Sequence, residues 1–205
     1  MRNSFIRASD DCVCIKAASY PDPAANRNVK NILVEHCVLW NAEPGNAVEI
    51  GYEVRCDEIS DITFRDLDIV HCEYEGNQSG GVLTIHNADR AHIHDIVYED
   101  IRVEDAQEKF VDIKVLDSKY SLDRKRGSVE NIYFRNVEIL NGNFPVSIIR
   151  GFEMHTEMSR PRNIYFDNVV VLGKKVESPS DLHMVVELSD DILFNGTAHA
   201  KRNPF

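Results

Sequence analysis

The sequence predicts an all-β protein, a single-stranded right-handed parallel β-helix (solenoid) of about six coils, and three observations carry that expectation. A nine-residue pattern recurs five times, as NILVEHCVL at 31–39, DITFRDLDI at 61–69, DIVYEDIRV at 95–103, NIYFRNVEI at 131–139 and NIYFDNVVV at 163–171. Successive copies start 30, 34, 36 and 32 residues apart, a period that marks stacked supersecondary units. A second apolar strand recurs at one place in the repeat, as CVCIK at 12–16, AVEIG at 47–51, VLTIH at 82–86, VDIKV at 111–115 and VSIIR at 146–150, and no convincing amphipathic helix lies between. An antiparallel sandwich would instead show hairpin turns every 8–12 residues.

Within each copy the apolar residues alternate, as Ile132 and Phe134 do, and the phase resets at Asn136 before Val137 and Ile139. The pattern reads as two short half-buried strands joined by a polar corner. Asn and Asp suit such corners because their side chains bond nearby backbone and tolerate left-handed conformations. No coil can bury its inner face alone, so the expected core is one continuous stack of Ile, Val and Phe.

Taken in order, residues 2–6 match only the back half of the pattern, so the chain is expected to begin within a coil. The open edge then calls for a cover, either a missing segment of a longer chain or self-association. The repeat runs end to end, which gives one domain over 1–205 with no internal boundary. Turn-rich stretches at 19–28 and 71–81, a charged loop at 121–128, a less regular last coil near 191–196 and a frayed tail at 197–205 complete the pass.

With 34 acidic against 23 basic residues the net charge is −11, which argues against nucleic acid or an anionic membrane as partner. A polyanionic substrate is disfavoured on the same ground, whereas a neutral sugar is not. No run of eighteen apolar residues and no signal peptide is present in the sequence. Cys12, Cys14, Cys37, Cys56 and Cys72 read foremost as small stacked hydrophobes, with a disulfide or metal binding as lesser alternatives. Cys12 and Cys14 alternate and are expected on one face. Acidic corners could attract calcium, but no loop has convincing ligand spacing, so no metal and no cofactor are expected.

Chemistry is sought where stacking gathers polar side chains. If the second-strand isoleucines Ile15, Ile50, Ile85, Ile113 and Ile149 align, the residues after them, Lys16, Gly51, His86, Lys114 and Arg150, form a column rich in cations. That column is expected to offer donors to sugar hydroxyls, against the plainer reading of an ordinary solvated sheet face. Asp10–Asp11, at the entrance of one strand, is the sharpest local feature. Two adjacent carboxyls can divide into a proton-bearing acid and an ionised partner, as glycoside hydrolysis requires.

ASDDCVCIKA at 8–17, followed one coil later by PGNAVEIGYE at 44–53, resembles the paired active-site motifs of the β-helical glycoside hydrolases, the polygalacturonase-like family 28 and the dextranase-like family 49. Asp10, Asp11, Ile50 and Gly51 match the polygalacturonase pattern, whereas Asn46 stands at the motif histidine and Thr84-Ile85-His86 replaces a uronate-binding Arg-Ile-Lys. Gly45, Val48, Glu49, Gly51 and Tyr52, with Trp40 before them, echo the dextranase-like pattern. The similarity spans roughly residues 3–105. Both families place a further catalytic aspartate about one strand before the pair, and this sequence begins after that point.

The resemblance implies a carbohydrate-active protein of a secreted or periplasmic parent that hydrolyses glycosidic bonds with Asp11 as general acid and Asp10 orienting water. Lys16, Trp40, Asn46, Glu49, Tyr52, Glu53, Arg55, His86, Arg90, Lys114 and Arg150 would contact a polysaccharide or oligosaccharide. The alternative is a non-catalytic module that binds polysaccharide on the same face through aromatic platforms such as Trp40, Tyr52 or Tyr74. A purely structural β-helix is the third reading.

Overall fold

The computed structural model describes residues 1–18, 27–73, 80–107, 109–144 and 146–198, and the tail at 199–205 and Tyr74 lie outside that set. The chain winds as a parallel β-solenoid, as the repeat predicts. Long strands β1 (Arg2–Ala8), β3 (Val29–Asn41), β5 (Glu58–Cys72), β7 (His92–Val103), β9 (Ser128–Ile139), β13 (Arg162–Val171) and β16 (Asp190–Phe194) stack in that order in one sheet. Short strands β2 (Val13–Ala17), β4 (Val48–Val54), β6 (Leu83–Asn87), β8 (Val111–Val115), β10 (Ser147–Arg150) and β15 (Met184–Glu187) stack in a second, giving six layers and so about five turns from first to last.

Each nine-residue copy lies on one long strand bent at two places. Asn31, Asp61, Asp95, Asn131 and Asn163, at its first position, all have φ between 54° and 59°. His36, Asp66, Asp100, Asn136 and Asn168, at its sixth, lie between 52° and 54°. Short polar side chains enter this left-handed region most readily among residues with a Cβ, which is why the corners are Asn, Asp or His. The sequence locates the corner at Asn136; the structure adds the second at Asn131. Pairing continues through both bends because each corner stacks on its neighbour. Asn136 Nδ2 donates to Asp100 Oδ1 at 3.0 Å, and Asn168 Nδ2 donates to Asn136 Oδ1 at 2.9 Å.

The core is the expected stack. Phe64, Tyr98, Phe134, Phe166 and Phe194 form a ladder of nearly parallel rings with centroids 5.1, 4.9, 4.7 and 4.7 Å apart. The isoleucine register holds: Ile15, Ile50, Ile85, Ile113 and Ile149 are successive Cα partners. All five cysteines are free thiols. Cys12 is buried with Cys37, Cys56 and Cys72, whereas Cys14 points outward. The two therefore do not share a face, because Cys12 precedes the first residue of β2 and the strand alternation does not reach it.

At the far end, short antiparallel strands β14 (Lys174–Lys175) and β17 (Thr197–Ala198) close on β13 and β16. A hairpin of β11 (Phe152–Met154) and β12 (Glu157–Ser159) and a short 3-10 turn at Pro179–Leu182 fill the last coils. At the near end, among the described residues, β1 and β2 have strand partners on one side only, and Phe5 is 67% exposed.

Candidate functional site

Alternation places Val48 and Ile50 toward the core and Glu49 outward, and the same holds for Thr84 on β6, Asp112 on β8 and Cys14 on β2. On that outer face lies a cleft of about 760 Å³ whose lining includes Asp10, Asp11, Lys16, Gly45, Asn46, Glu49, Tyr52, Glu53, Lys119 and Tyr120. Its walls come from the turns before β2 and β4, the strand faces and the segment at 116–120 that follows β8.

The turns before β2 and β4 are locked together. Asp11 Oδ1 accepts the Asn46 backbone N–H at 3.0 Å and Asn46 Nδ2 at 2.7 Å, while Asn46 Oδ1 accepts the Gly81 N–H at 2.8 Å. Gly45, at φ +115°, lies so close that a Cβ there would sit 2.5 Å from the Asp10 carbonyl carbon, so only glycine brings the two turns together. Asp10 is exposed, and its Oδ1 accepts the Asp11 N–H at 2.8 Å. Burial, with the charge of Glu49 second, pushes the Asp11 carboxyl above its usual range, and the Asn46 hydrogen bond opposes the shift.

Beneath the cleft a zigzag of alternating charge runs across three strands. His86 Nδ1 lies 3.0 Å from Glu49 Oε1, and His86 Nε2 lies 3.2 Å from Asp112 Oδ2. Lys114 Nζ donates to the same Asp112 oxygen at 2.8 Å, and Lys109 Nζ approaches it at 3.8 Å. The second His86 contact has the distance of an ion pair without the angle of a hydrogen bond. His86 is 0% and Glu49 1% exposed. Burial pulls the His86 pKa down, but the two carboxylates outweigh it and push it up to about 9. Burial likewise pushes Asp112 up, and His86 and Lys114 more than reverse that, leaving it below the usual carboxylate range.

The predicted column therefore keeps register from Gly51 to Arg150 but is not an open row of donors. His86 and Lys114 are buried and turned to carboxylates, and Tyr52 covers the imidazole by stacking on it at 4.5 Å and 22°. Lys16 leaves the register at a bulge in the β2–β4 pairing and binds Glu53 at 2.8 Å. Arg150 remains exposed, paired with Glu187 at 2.6 Å.

Of the other expected contact residues, Asn46, Glu49, Tyr52 and Glu53 gather with Asp10, Asp11 and Lys16 at the cleft. Trp40 does not line it; its ring sits under the Arg7 guanidinium at 3.9 Å, beside His71 at 5.7 Å. Arg55 and Arg90 converge instead on Asp123, at 3.0 and 2.9 Å. Asp112 and Lys109 escaped the sequence reading, although the isoleucine register places Asp112 beside Thr84 and Glu49 and could have found it. Tyr120 joins Tyr52 at 5.4 Å only through the path of the segment at 116–120.

Among the described residues no group of three or more His, Cys, Asp or Glu side chains is arranged to hold a metal ion. Fold and cleft together define the class: a parallel β-solenoid with an acidic, tyrosine-walled cleft on the outer face of its second sheet. Comparison of the chain with known protein families and with curated proteins finds no match.

Proposed function

We propose that this β-solenoid is carbohydrate-active and hydrolyses glycosidic bonds in a neutral polysaccharide or oligosaccharide held in the cleft. The observation that carries the reading is Asp11, a half-buried carboxyl with a raised pKa beside the exposed Asp10 in an aromatic-walled cleft. A general acid must hold its proton near the working pH, and desolvation beside a second anion does that. Asp11 would protonate the departing glycosidic oxygen while Asp10 orients the attacking water. Tyr52 and Tyr120 offer ring faces to the apolar faces of sugars. Glu53 neutralises Lys16, so the cleft keeps an acidic balance unsuited to uronates.

A second reading is favoured by the same tyrosine pair, which together with the loss of the motif histidine suits a module that binds polysaccharide without cleaving it. A panel of neutral and acidic polysaccharides, scored together for reducing-sugar release and for retention in affinity gels, decides between them. Release that vanishes in Asp11→Asn with the melting temperature unchanged supports hydrolysis. Retention without release supports the binding module, and neither outcome on any sugar removes both.

A further inference from the structure

We propose that the buried row Glu49–His86–Asp112–Lys114 is a positioning device for the cleft, holding the Glu49 carboxylate in one place at the cleft floor, in the same cleft as Asp11. Its mechanistic consequence rests on the hydrolytic reading above; its test does not.

Glu49 both lines the cleft and belongs to the row. Its two oxygens are held from one side, by Thr84 Oγ1 donating to Oε2 and by His86 Nδ1 at 3.0 Å from Oε1, and both donors stand on β6. A buried carboxylate is costly unless it is paired and hydrogen-bonded, and a lone imidazolium would be costly for the same reason. The row resolves both by alternation. Glu49 faces His86, His86 faces Asp112, and Asp112 faces Lys114. Gly51, at φ +136°, lets the strands close on this arrangement, since a Cβ there would come 2.3 Å from the His86 carbonyl oxygen and 2.9 Å from Glu49 Oε1.

Replacement of such a row by apolar residues would often leave stability unharmed. What the row does at this place is hold the Glu49 carboxyl in the lining of the cleft that Asp11 also lines. The charged and titratable groups that act on Asp11 are Glu49 on β4, Asp10 beside it in the turn, and Cys14 and Lys16 on β2, with Asn46 as its neutral donor. Burial comes first in raising the Asp11 pKa and Glu49 second, with Asp10 the weakest contributor.

The deciding measurement is the carboxyl carbon titration of Asp11 by NMR in the whole chain, assigned with Asp11→Asn and repeated in Glu49→Gln and Asp10→Asn. The Asp11 midpoint is expected to fall in Glu49→Gln, and to fall further there than in Asp10→Asn. An unmoved midpoint in a folded Glu49→Gln protein would overturn the proposal. Should that variant fail to fold, the ring nitrogen shifts of His86 in the unaltered protein decide instead. An imidazolium at neutral pH is expected, and a neutral ring would leave Glu49 uncompensated and sink the idea. A falling midpoint in a protein that neither cleaves nor retains any polysaccharide would keep the row and discard the function proposed above.

Discussion

Asp11 and Asn46, residues on adjacent coils, meet through two hydrogen bonds to a single carboxylate oxygen, at 3.0 and 2.7 Å. The asparagine occupies the place where the resembling motif carries a histidine, and here it ties Asp11 to the Gly81 backbone through its own Oδ1. Asn46→Ala removes the side-chain donor and leaves the buried Gly81 N–H without that acceptor. Stability is expected to drop by about 1–3 kcal/mol by chemical denaturation. The Asp11 midpoint should rise further, since the Asn46 bond lowers it. A fall would mean that Asn46 does not stabilise the ionised form.

The buried imidazolium gives stability a pH dependence of fixed sign. The folded pKa of His86, about 9, lies above its ordinary 6.5. The folded protein therefore holds a proton that the unfolded chain releases, and this contribution is full below pH 6.5 and is lost as pH rises to about 9. The expected slope in that window approaches about 1.4 kcal/mol per pH unit, one proton's worth. Asp112, whose pKa is lowered, acts in the opposite direction, adding stability above its ordinary value of 3.8 that is lost on acidification. Denaturation midpoints against pH should lose the alkaline slope in a folded His86→Gln variant.

The ring ladder predicts a graded set of core effects. Phe134 packs between Tyr98 and Phe166 with no exposed surface, so Phe134→Ala should cost ~3–5 kcal/mol and Ile132→Ala ~2–5 kcal/mol. Tyr98→Phe keeps the ring in the ladder and removes a buried hydroxyl that has no hydrogen-bond partner among the described residues. Its melting temperature should hold or rise, and a loss comparable to Phe134→Ala would contradict the packing described.

Corner residues separate backbone conformation from hydrogen bonding. Asn136, at φ 52°, also donates to Asp100. Asn136→Gly loses that bond but accepts the conformation, whereas Asn136→Val loses both and adds left-handed strain of about 1–3 kcal/mol. The valine variant should unfold at clearly lower denaturant than the glycine variant. Equal midpoints would show that the left-handed corner costs nothing.

Much of the fold was legible because a solenoid writes its register into the chain. Alternation in NIYFRNVEI, its recurrence, and the aligned isoleucines from Ile15 to Ile149 are local patterns repeated at one period, so each copy corroborates the next. The corner at Asn131 was missed because the nine-residue pattern was started there, although the gap from Val129 to Ile132 resets the phase just as the gap from Phe134 to Val137 does. Cys12 was misplaced because alternation was extended beyond the start of β2.

At the site, the sequence by itself determined that Gly51, His86, Lys114 and Arg150 stand in one row, and it set Asp10 and Asp11 at the entrance of a neighbouring strand. Tertiary structure alone decided which of them face solvent. The segment at 116–120 brings Tyr120 to Tyr52, and Tyr52 lies flat on His86. Two members of a row that reads as exposed cations, His86 and Lys114, thereby enter a buried chain of ion pairs under an acidic cleft. The physical reason is that register follows from local periodicity, whereas cover depends on where loops of unequal length fall, and no period in the sequence encodes that.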